Sequence, residues 1–189
     1  MIWNFFKKKG ENEPEKLDPL RDLILSRLKV GYLVDYDLRT WEVTGYSRYD
    51  WGRGEFSEEW ELRCGDETIY LEREEDDEVE WKLSWKISLE VLGPQFKKRL
   101  KEEEEPPEEI VYEGVTYTLE GEGAGLFHQN GRGEGLEFLC WDYVDEEGKQ
   151  FLTLEQWGEE KYELSTGIEV EEYQFSHILP RSAETPERS

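Results

Sequence analysis

Six acidic residues of this chain lie near aromatic residues, an arrangement that suits carbohydrate chemistry. Paired carboxyl groups beside tryptophan are typical of glycoside hydrolysis or sugar binding, where one group acts as an acid and the other as a nucleophile or base. The candidates are too numerous for the sequence to select a pair, so no catalytic residue is assigned. They are Asp35, Asp37, Glu59, Glu72, Asp142 and Glu155.

The tryptophans have a second interpretation, as core residues. Trp41, Trp60, Trp81, Trp85 and Trp141 alternate with polar neighbours, which is typical of strands with one buried face. We favour this interpretation over a sugar-binding cleft. Two acidic residues that follow leucines in other strand segments are then expected to face water or to pair with Lys or Arg. These residues are Glu72 and Glu155.

Few other side chains have metal-binding or nucleophilic chemistry. His128 and His177 lie far apart and have no ligand-like spacing to Cys64 or Cys140, whereas a structural zinc site needs about four ligands. No metal and no cofactor are therefore predicted. The two cysteines are expected to be reduced thiols, with a disulfide between them as the alternative.

Two short glycine clusters, 51–54 (WGRG) and 130–133 (NGRG), predict hairpin loops, because glycine readily adopts positive φ angles. The whole stretch 121–135 is predicted to be one long hairpin loop. Its G-x-G-x-G spacing does not match a nucleotide-binding loop, and no amphipathic helix follows. Candidate ligand contacts in these loops are Trp51, Arg53, His128, Asn130 and Arg132.

The first nine residues combine aromatic rings with three consecutive lysines. This segment is far too short to span a bilayer, but aromatic residues beside lysine suit a membrane interface or the groove of a partner protein. A frayed terminus is the alternative. The candidate contacts are Trp3, Phe5, Phe6, Lys7, Lys8 and Lys9.

The composition is strongly acidic, with 47 acidic and 23 basic residues and a formal charge of −24. This charge disfavours nucleic acid as a partner and favours basic partners or cations. Mean hydropathy is −0.87, but the aromatic content of 14% predicts a folded chain. Because no secretory signal or transmembrane segment is recognisable, a cytoplasmic protein is expected, associated with membranes if the N-terminal segment binds lipid.

One strand pattern occurs twice and must position these side chains. The segment 40–45 (TWEVTG) returns as 116–121 (TYTLEG), and later strand patterns follow in the same order, with a period of roughly 80 residues. An all-β, mainly antiparallel fold is therefore predicted. It would consist of two tandem similar β-units, of small barrel or sandwich type, packed together and preceded by a short N-terminal helix.

The predicted segments follow from this repeat and from the charge pattern between its copies. Leucines at helical spacing indicate the helix, and the block of Lys and Glu before two prolines indicates a linker. The segments are a tail at 1–16, a helix at 17–29, a first β-unit at 30–96, a charged linker at 97–109, a second β-unit at 110–180 and a disordered tail at 181–189.

The strand motifs resemble a known bacterial family. These motifs are 28–31 (LKVG), 40–45 (TWEVTG), 59–62 (EWEL), 69–72 (IYLE) and 114–117 (GVTY). They are similar to the domain-of-unknown-function family numbered 4178, over about residues 28–179. The resemblance implies an uncharacterised β-rich domain whose relatives are encoded near membrane-stress or small membrane proteins. It supplies no catalytic residues.

A non-enzymatic binding or adaptor module is the function that these observations favour, with an unidentified protein partner. Two alternatives stay open. One is a hydrolase or carbohydrate-binding protein that uses an acidic aromatic cleft, and the other is a peripheral membrane protein anchored by its N terminus.

Overall fold

Eleven strands and two helices make up the part of the chain that a computed structural model describes, residues 18–103 and 105–180. The helices are α1 (Pro19–Asp22) and α2 (Gly93–Glu103), with 3-10 turns at Leu25–Arg27, Leu89–Leu92 and Glu172–Gln174. The strands are β1 (Tyr32–Tyr36), β2 (Arg39–Gly52), β3 (Glu55–Cys64), β4 (Glu67–Glu75), β5 (Val79–Ile87), β6 (Glu109–Tyr112), β7 (Val115–Gln129), β8 (Leu136–Asp145), β9 (Gln150–Gln156), β10 (Tyr162–Val170) and β11 (Phe175–Pro180).

Eight of these strands close into a barrel in the order β2-β3-β4-β5-β10-β9-β8-β7. The ring closes because residues 47–50 of β2 pair antiparallel with residues 126–129 of β7. The first residues of β2 pair with β1, and the first residues of β7 pair with β6. Each of these two long strands therefore belongs to the barrel at one end and to a flanking ribbon at the other. Strand β11 extends the first ribbon by pairing with β1.

The prediction of an all-β antiparallel fold is confirmed, but the two tandem units are wrong. Strands β2–β5 and β7–β10 are two runs in one ring, joined at the β2–β7 and β5–β10 pairings. A four-stranded run alone would leave two unpaired edges, and pairing the runs edge to edge removes both. The internal repeat itself stays a prediction.

The predicted N-terminal helix is also wrong, because the longest helix lies in the middle of the chain. Helix α2 spans 11 residues and has Pro94 in its first turn. Proline is tolerated there because a backbone N–H group in the first turn has no partner within the helix. Near the N terminus α1 has only 4 residues and is followed by a 3-10 turn. Leu28, one of the residues at helical spacing, is nevertheless buried against the sheet, as is Leu25 of the 3-10 turn. Among the described residues no helix has the length and apolar character needed to cross a membrane.

Most of the buried apolar residues of the barrel strands lie on its outer face, under two separate covers. On one side Leu62, Leu71 and Leu83 pack with residues from the 3-10 turn at Leu25–Arg27, β1 and β11. On the other side the apolar residues of β8, β9 and β10 pack with Leu100 of α2 and Ile110 of β6. Burial of each such side chain contributes about 1.5–3 kcal/mol.

Besides the backbone ladders, a buried side-chain hydrogen bond links each cover to the barrel. Trp60 of β3 donates from Nε1 to the carbonyl oxygen of Leu28, at 3.0 Å. Tyr143 of β8 donates from its hydroxyl group to the carbonyl oxygen of Pro107, at 2.9 Å. These bonds provide partners for polar atoms that burial would otherwise leave without one.

Trp85, which the alternation places in the core, instead keeps 38% of its surface exposed.

Glycines stand at both seams of the ring, where a side chain would not fit. A Cβ atom on Gly125 of β7 would lie 2.9 Å from the carbonyl oxygen of Asp50 in β2 and 3.0 Å from the ring of Phe138. A Cβ atom on Gly167 of β10 would meet the carbonyl oxygen of Leu83 in β5 and the ring of Phe151. The close approach of backbones at these seams therefore requires glycine.

Replacing Gly125 by alanine is expected to destabilise the barrel. The new methyl group collides with backbone that cannot rotate away, so we expect the free energy of unfolding to fall by about 1–3 kcal/mol. Gly121→Ala, on the same strand with no atom within 4 Å of the added Cβ, is the matched control. Urea unfolding followed by tryptophan fluorescence measures both. Equal stabilities of the two variants would contradict this account of the seam.

Candidate functional site

The barrel encloses a cavity of about 1340 Å³ lined by residues from all eight of its strands. Because successive side chains of a strand point to opposite faces, the residues between the buried apolar positions face inward. On β3 these are Glu59 and Glu61, and on β9 they are Thr153 and Glu155. The interior wall is therefore mainly polar, and the apolar packing lies outside it.

Two inward carboxyl groups lie directly opposite each other on adjacent strands. Glu59 of β3 pairs in register with Glu72 of β4, and Glu72 pairs in turn with Lys82 of β5. Like charges at directly opposed positions destabilise a sheet. Lys82 moderates this repulsion, but its ion pair is with Glu74, at 3.4 Å.

The confined position of these carboxyl groups favours their protonated form. Burial, together with the charges of Glu72 and Glu155, raises the pKa of Glu59 to about 8, although the charge of Lys86 opposes the shift. Burial likewise raises the pKa of Glu72, against the opposing charge of Lys82. Glu59 therefore holds its proton near neutral pH, unlike a carboxyl group in water.

A second group of carboxyls follows on β8 and β9. Glu155 lies in register with Cys140 of β8 on one side and Glu163 of β10 on the other. Burial raises the pKa of Glu155 to about 7, although Lys86 lowers it. The carboxyl group of Asp142 accepts a hydrogen bond from Thr153 Oγ1 at 2.7 Å. The side chain of Asp142 is accessible to solvent, yet desolvation by the surrounding protein raises the pKa of its carboxyl group.

Aromatic rings form a further part of the cavity wall. Tyr49, Trp51, Phe127 and Trp157 line the cavity or pack into this cluster, together with Phe138 and Cys140. Trp157 stacks on Phe138 at a centroid distance of 5.1 Å and meets Phe127 edge-on at 5.2 Å. The Nε1 atom of Trp157 is fully buried and has no hydrogen-bond partner in the described part of the chain.

The aromatic cluster is bonded to the carboxyl groups. The hydroxyl group of Tyr49 donates to Glu59 Oε2 at 3.3 Å, and Trp51 Nε1 donates to Ser57 Oγ at 3.2 Å. Trp157, the residue after the end of β9, lines the cavity as Glu155 does. The two kinds of wall are therefore contiguous.

Glycines keep part of one strand of the wall free of side chains. The stretch predicted as a long hairpin loop is instead strand β7, which continues to Gln129 before it turns. Gly121 and Gly123 line the cavity, and Gly123 lies in register with Cys140. A Cβ atom on Gly123 would be 3.6 Å from the Cys140 sulfur. Cys64 and Cys140 are both free thiols.

The candidate ligand contacts from the glycine clusters lie in different places. Trp51 and Asn130 line the cavity. Arg53 and Arg132 are exposed in turns, and His128 Nδ1 lies 3.2 Å from the carbonyl oxygen of Gly133. As ligand contacts these five residues stay predictions. The six N-terminal residues from Trp3 to Lys9 that were proposed to contact a membrane or partner lie outside the described residues, and that contact also stays a prediction.

Four of the six acidic residues noted in the sequence come together in the cavity: Glu59, Glu72, Asp142 and Glu155. The other two do not. Asp35 of β1 accepts a hydrogen bond from Thr40 and lies 3.1 Å from His177, and Asp37 is in the exposed β1–β2 turn. Sequence reasoning missed Lys82, Lys86 and Tyr49, although their alternation with core residues indicated a shared face.

The carboxyl groups of the cavity do not form a metal centre. Within residues 18–103 and 105–180, no three His, Cys, Asp or Glu side chains are grouped so that they could hold a metal ion. The site therefore presents carboxyl groups, three lysines (Lys82, Lys86 and Lys161) and aromatic rings directly to whatever enters the cavity.

Comparison with known proteins agrees with the extent of this barrel. A family model described as a domain of unknown function, DUF4178, matches residues 29–172. The chain belongs to this family. The DUF4178 match contains every strand from β1 to β10 and so the complete ring. An uncharacterized protein of Aquifex aeolicus (strain VF5) is 31% identical over 182 residues, which are 95% of this chain and 97% of that relative. No solved structure matches.

The raised pKa of Glu59 predicts that the cavity destabilises the protein at alkaline pH. A carboxyl group whose pKa is higher in the folded than in the unfolded state binds more protons when folded. Its stabilising contribution is therefore complete below the unfolded pKa of about 4.3 and is lost as pH rises through about 8. Glu59→Gln removes this dependence, and we expect it to be more stable than the natural protein at about pH 9, by on the order of 2 kcal/mol.

Urea unfolding at intervals between about pH 5 and pH 9 measures this difference. Glu109→Gln is the matched control, since Glu109 is exposed on β6 and outside the cavity. It corrects for the general effect of removing one negative charge from an acidic chain. If the Glu59→Gln and Glu109→Gln curves run parallel, Glu59 does not titrate as described.

Proposed function

We propose that this DUF4178 protein is a binding module that holds a small polar molecule inside its barrel. The observation that supports this proposal is the division of the strands into an apolar outer face and a polar inner face around a cavity of about 1340 Å³. Ligand pockets are commonly about 300–1000 Å³. The interior of an eight-stranded barrel is either filled by side chains or holds one small ligand.

The inner wall costs stability that the fold alone does not require. Well-packed apolar side chains in place of buried charged groups are often neutral or stabilising. Here Glu59 and Glu72 stand opposite each other, and glycines take the place of larger side chains on β7. Groups with strongly perturbed pKa values inside a cleft are typical of functional sites. The lining is therefore better explained by recognition of a ligand than by packing.

The protonated thiol of Cys140 in the cavity wall is consistent with binding that involves no covalent chemistry. Burial raises the pKa of the Cys140 thiol, and the charges of Asp142 and Glu155 raise it further. A thiol in such surroundings keeps its proton, whereas a nucleophilic cysteine acts as the thiolate. Glycoside hydrolysis by two of the cavity carboxyls stays a second prediction, because the same wall combines carboxyl groups with tryptophan.

A side chain that blocks the cavity is expected to abolish binding. Ser84 of β5 lines the cavity, and Ser84→Phe places a ring in it. Thr116→Phe adds the same ring at an exposed position of β7 outside the cavity and is the control. The probes are 2-amino-1-phenylethanol, 1-phenylethane-1,2-diol and mandelate, which share a ring and a hydroxyl group and differ in charge.

Ligand-observed NMR titration measures the dissociation constant of each probe. We expect at least one probe to bind the natural protein and Thr116→Phe equally, and to bind Ser84→Phe at least about tenfold more weakly, a loss of about 1.4 kcal/mol. Circular dichroism confirms that each variant is folded. If none of the three probes binds, or if Ser84→Phe binds as well as the natural protein, the cavity is not a binding site for such molecules.

A further inference from the structure

We infer that the ligand of the cavity is an organic ammonium ion, which places its charge among Glu59, Glu72 and Glu155 and releases a proton from these carboxyl groups as it binds. This inference rests on the proposed function and adds the chemical class of the ligand. It draws on three separate features of the cavity: its charge balance, its aromatic wall and its buried donor.

The charges of the cavity leave the central carboxyl groups without a matching cation. Lys82 and Lys86 are the lysines on the inward face of β5, and their ion pairs are with Glu74 and Glu163. Glu59 accepts its hydrogen bond from the neutral hydroxyl group of Tyr49. An ammonium group entering the cavity therefore finds carboxyl groups that the lysines do not neutralise, and an anion would meet repulsion at short range.

The aromatic wall favours a cation with a ring or a hydrocarbon body. Tyr49 and Trp51 stack with centroids 5.9 Å apart, and the Tyr49 hydroxyl group reaches Glu59. Aromatic faces attract ammonium groups and bury apolar surface. Because carboxyl groups and rings are neighbours on one wall, a molecule that carries both an ammonium group and a ring contacts them together.

Trp157 provides an observation that does not depend on the acidic residues. Its ring lines the cavity, and its buried Nε1 atom has no hydrogen-bond partner among the described residues. A buried donor without a partner costs about 1–3 kcal/mol. Because Nε1 is closed off from solvent in this structure, an oxygen atom on the ligand would accept this hydrogen bond only after the ring turns its Nε1 edge toward the cavity.

Proton release follows from the groups that surround Glu59. Charged and titratable side chains from six other strands face it or its carboxyl neighbours: Tyr49 from β2, Glu72 and Glu74 from β4, Lys82 and Lys86 from β5, Asp142 and Cys140 from β8, Glu155 from β9 and Glu163 from β10. The pKa of Glu59 is raised to about 8, so this group is largely protonated at neutral pH. A bound ammonium ion favours the carboxylate. The carboxyl O–H bond then breaks, the proton passes to the solvent, and the carboxylate pairs with the ammonium group.

The test compares 2-amino-1-phenylethanol with 1-phenylethane-1,2-diol, in which a hydroxyl group replaces the ammonium group. Isothermal titration calorimetry in two buffers of different ionisation enthalpy counts the protons released. We expect the amine to bind at least about tenfold more tightly than the diol, and mandelate to bind more weakly than either. We also expect the affinity for the amine to rise about tenfold between about pH 6 and pH 8, with proton release to the buffer.

Variants distinguish the effect of the cavity carboxyl groups on binding from the effect of the overall charge of the chain. Glu59→Gln and Glu155→Gln are each expected to weaken amine binding about tenfold and to leave diol binding within about twofold. Glu59→Gln is also expected to reduce proton release. Glu109→Gln, which removes an exposed charge, is expected to change neither quantity. Because each substitution replaces a carboxyl group by an amide of similar size, folding is retained and is checked by circular dichroism.

The outcomes distinguish this inference from the function on which it rests. Diol or mandelate binding that matches or exceeds amine binding, and is lost in Ser84→Phe, overturns the ammonium ligand and leaves the binding function standing. Amine binding that is independent of pH and of Glu59 also overturns the inference. Failure of all three probes overturns both proposals.

Discussion

The short ladder between β2 and β7 is the interaction on which the rest of the structure depends. Four residues on each strand pair there, and they convert a twisted sheet into a ring. Gly125 permits the close approach of the two strands, and Tyr49 and Phe127 pack against each other beside it at 5.2 Å. Without this ladder the inner face of the sheet would open to water, and neither the aromatic cluster nor the carboxyl groups would be enclosed.

Closure also explains why the two faces of the strands differ in chemistry. A strand in a closed ring has an inner and an outer face, and both need a partner. The outer face receives the two covers, which bury leucine, tryptophan and tyrosine side chains. The inner face receives polar side chains that a cavity can solvate. In this barrel the principal apolar packing is therefore peripheral, and the interior contains its titratable groups.

The strands and their buried faces could be predicted from sequence, because alternation with period two reports which side chains share a face. It does not report which face a closed ring turns inward. Trp60 and Leu62 are buried as expected, but beneath a cover outside the barrel, so Glu72 and Glu155 line the cavity although they were expected to face water or pair with Lys or Arg.

Long-range pairing accounts for the other differences between prediction and structure. Gly121, Gly123 and Gly125 have the composition of a loop, yet they lie in β7, which pairs with β2 and β8, and only at Gly125 do these neighbours leave too little space for a side chain. The charged stretch after Pro94 has the composition of a linker, yet it forms α2 because Leu100 packs on the barrel. In both segments contacts with residues distant in sequence override local composition.

The peripheral covers have a consequence for how such a protein diversifies. Because the two main apolar clusters lie outside the barrel, substitutions on the inner wall leave them intact. The side chains of the inner wall can therefore change one at a time while the scaffold is retained.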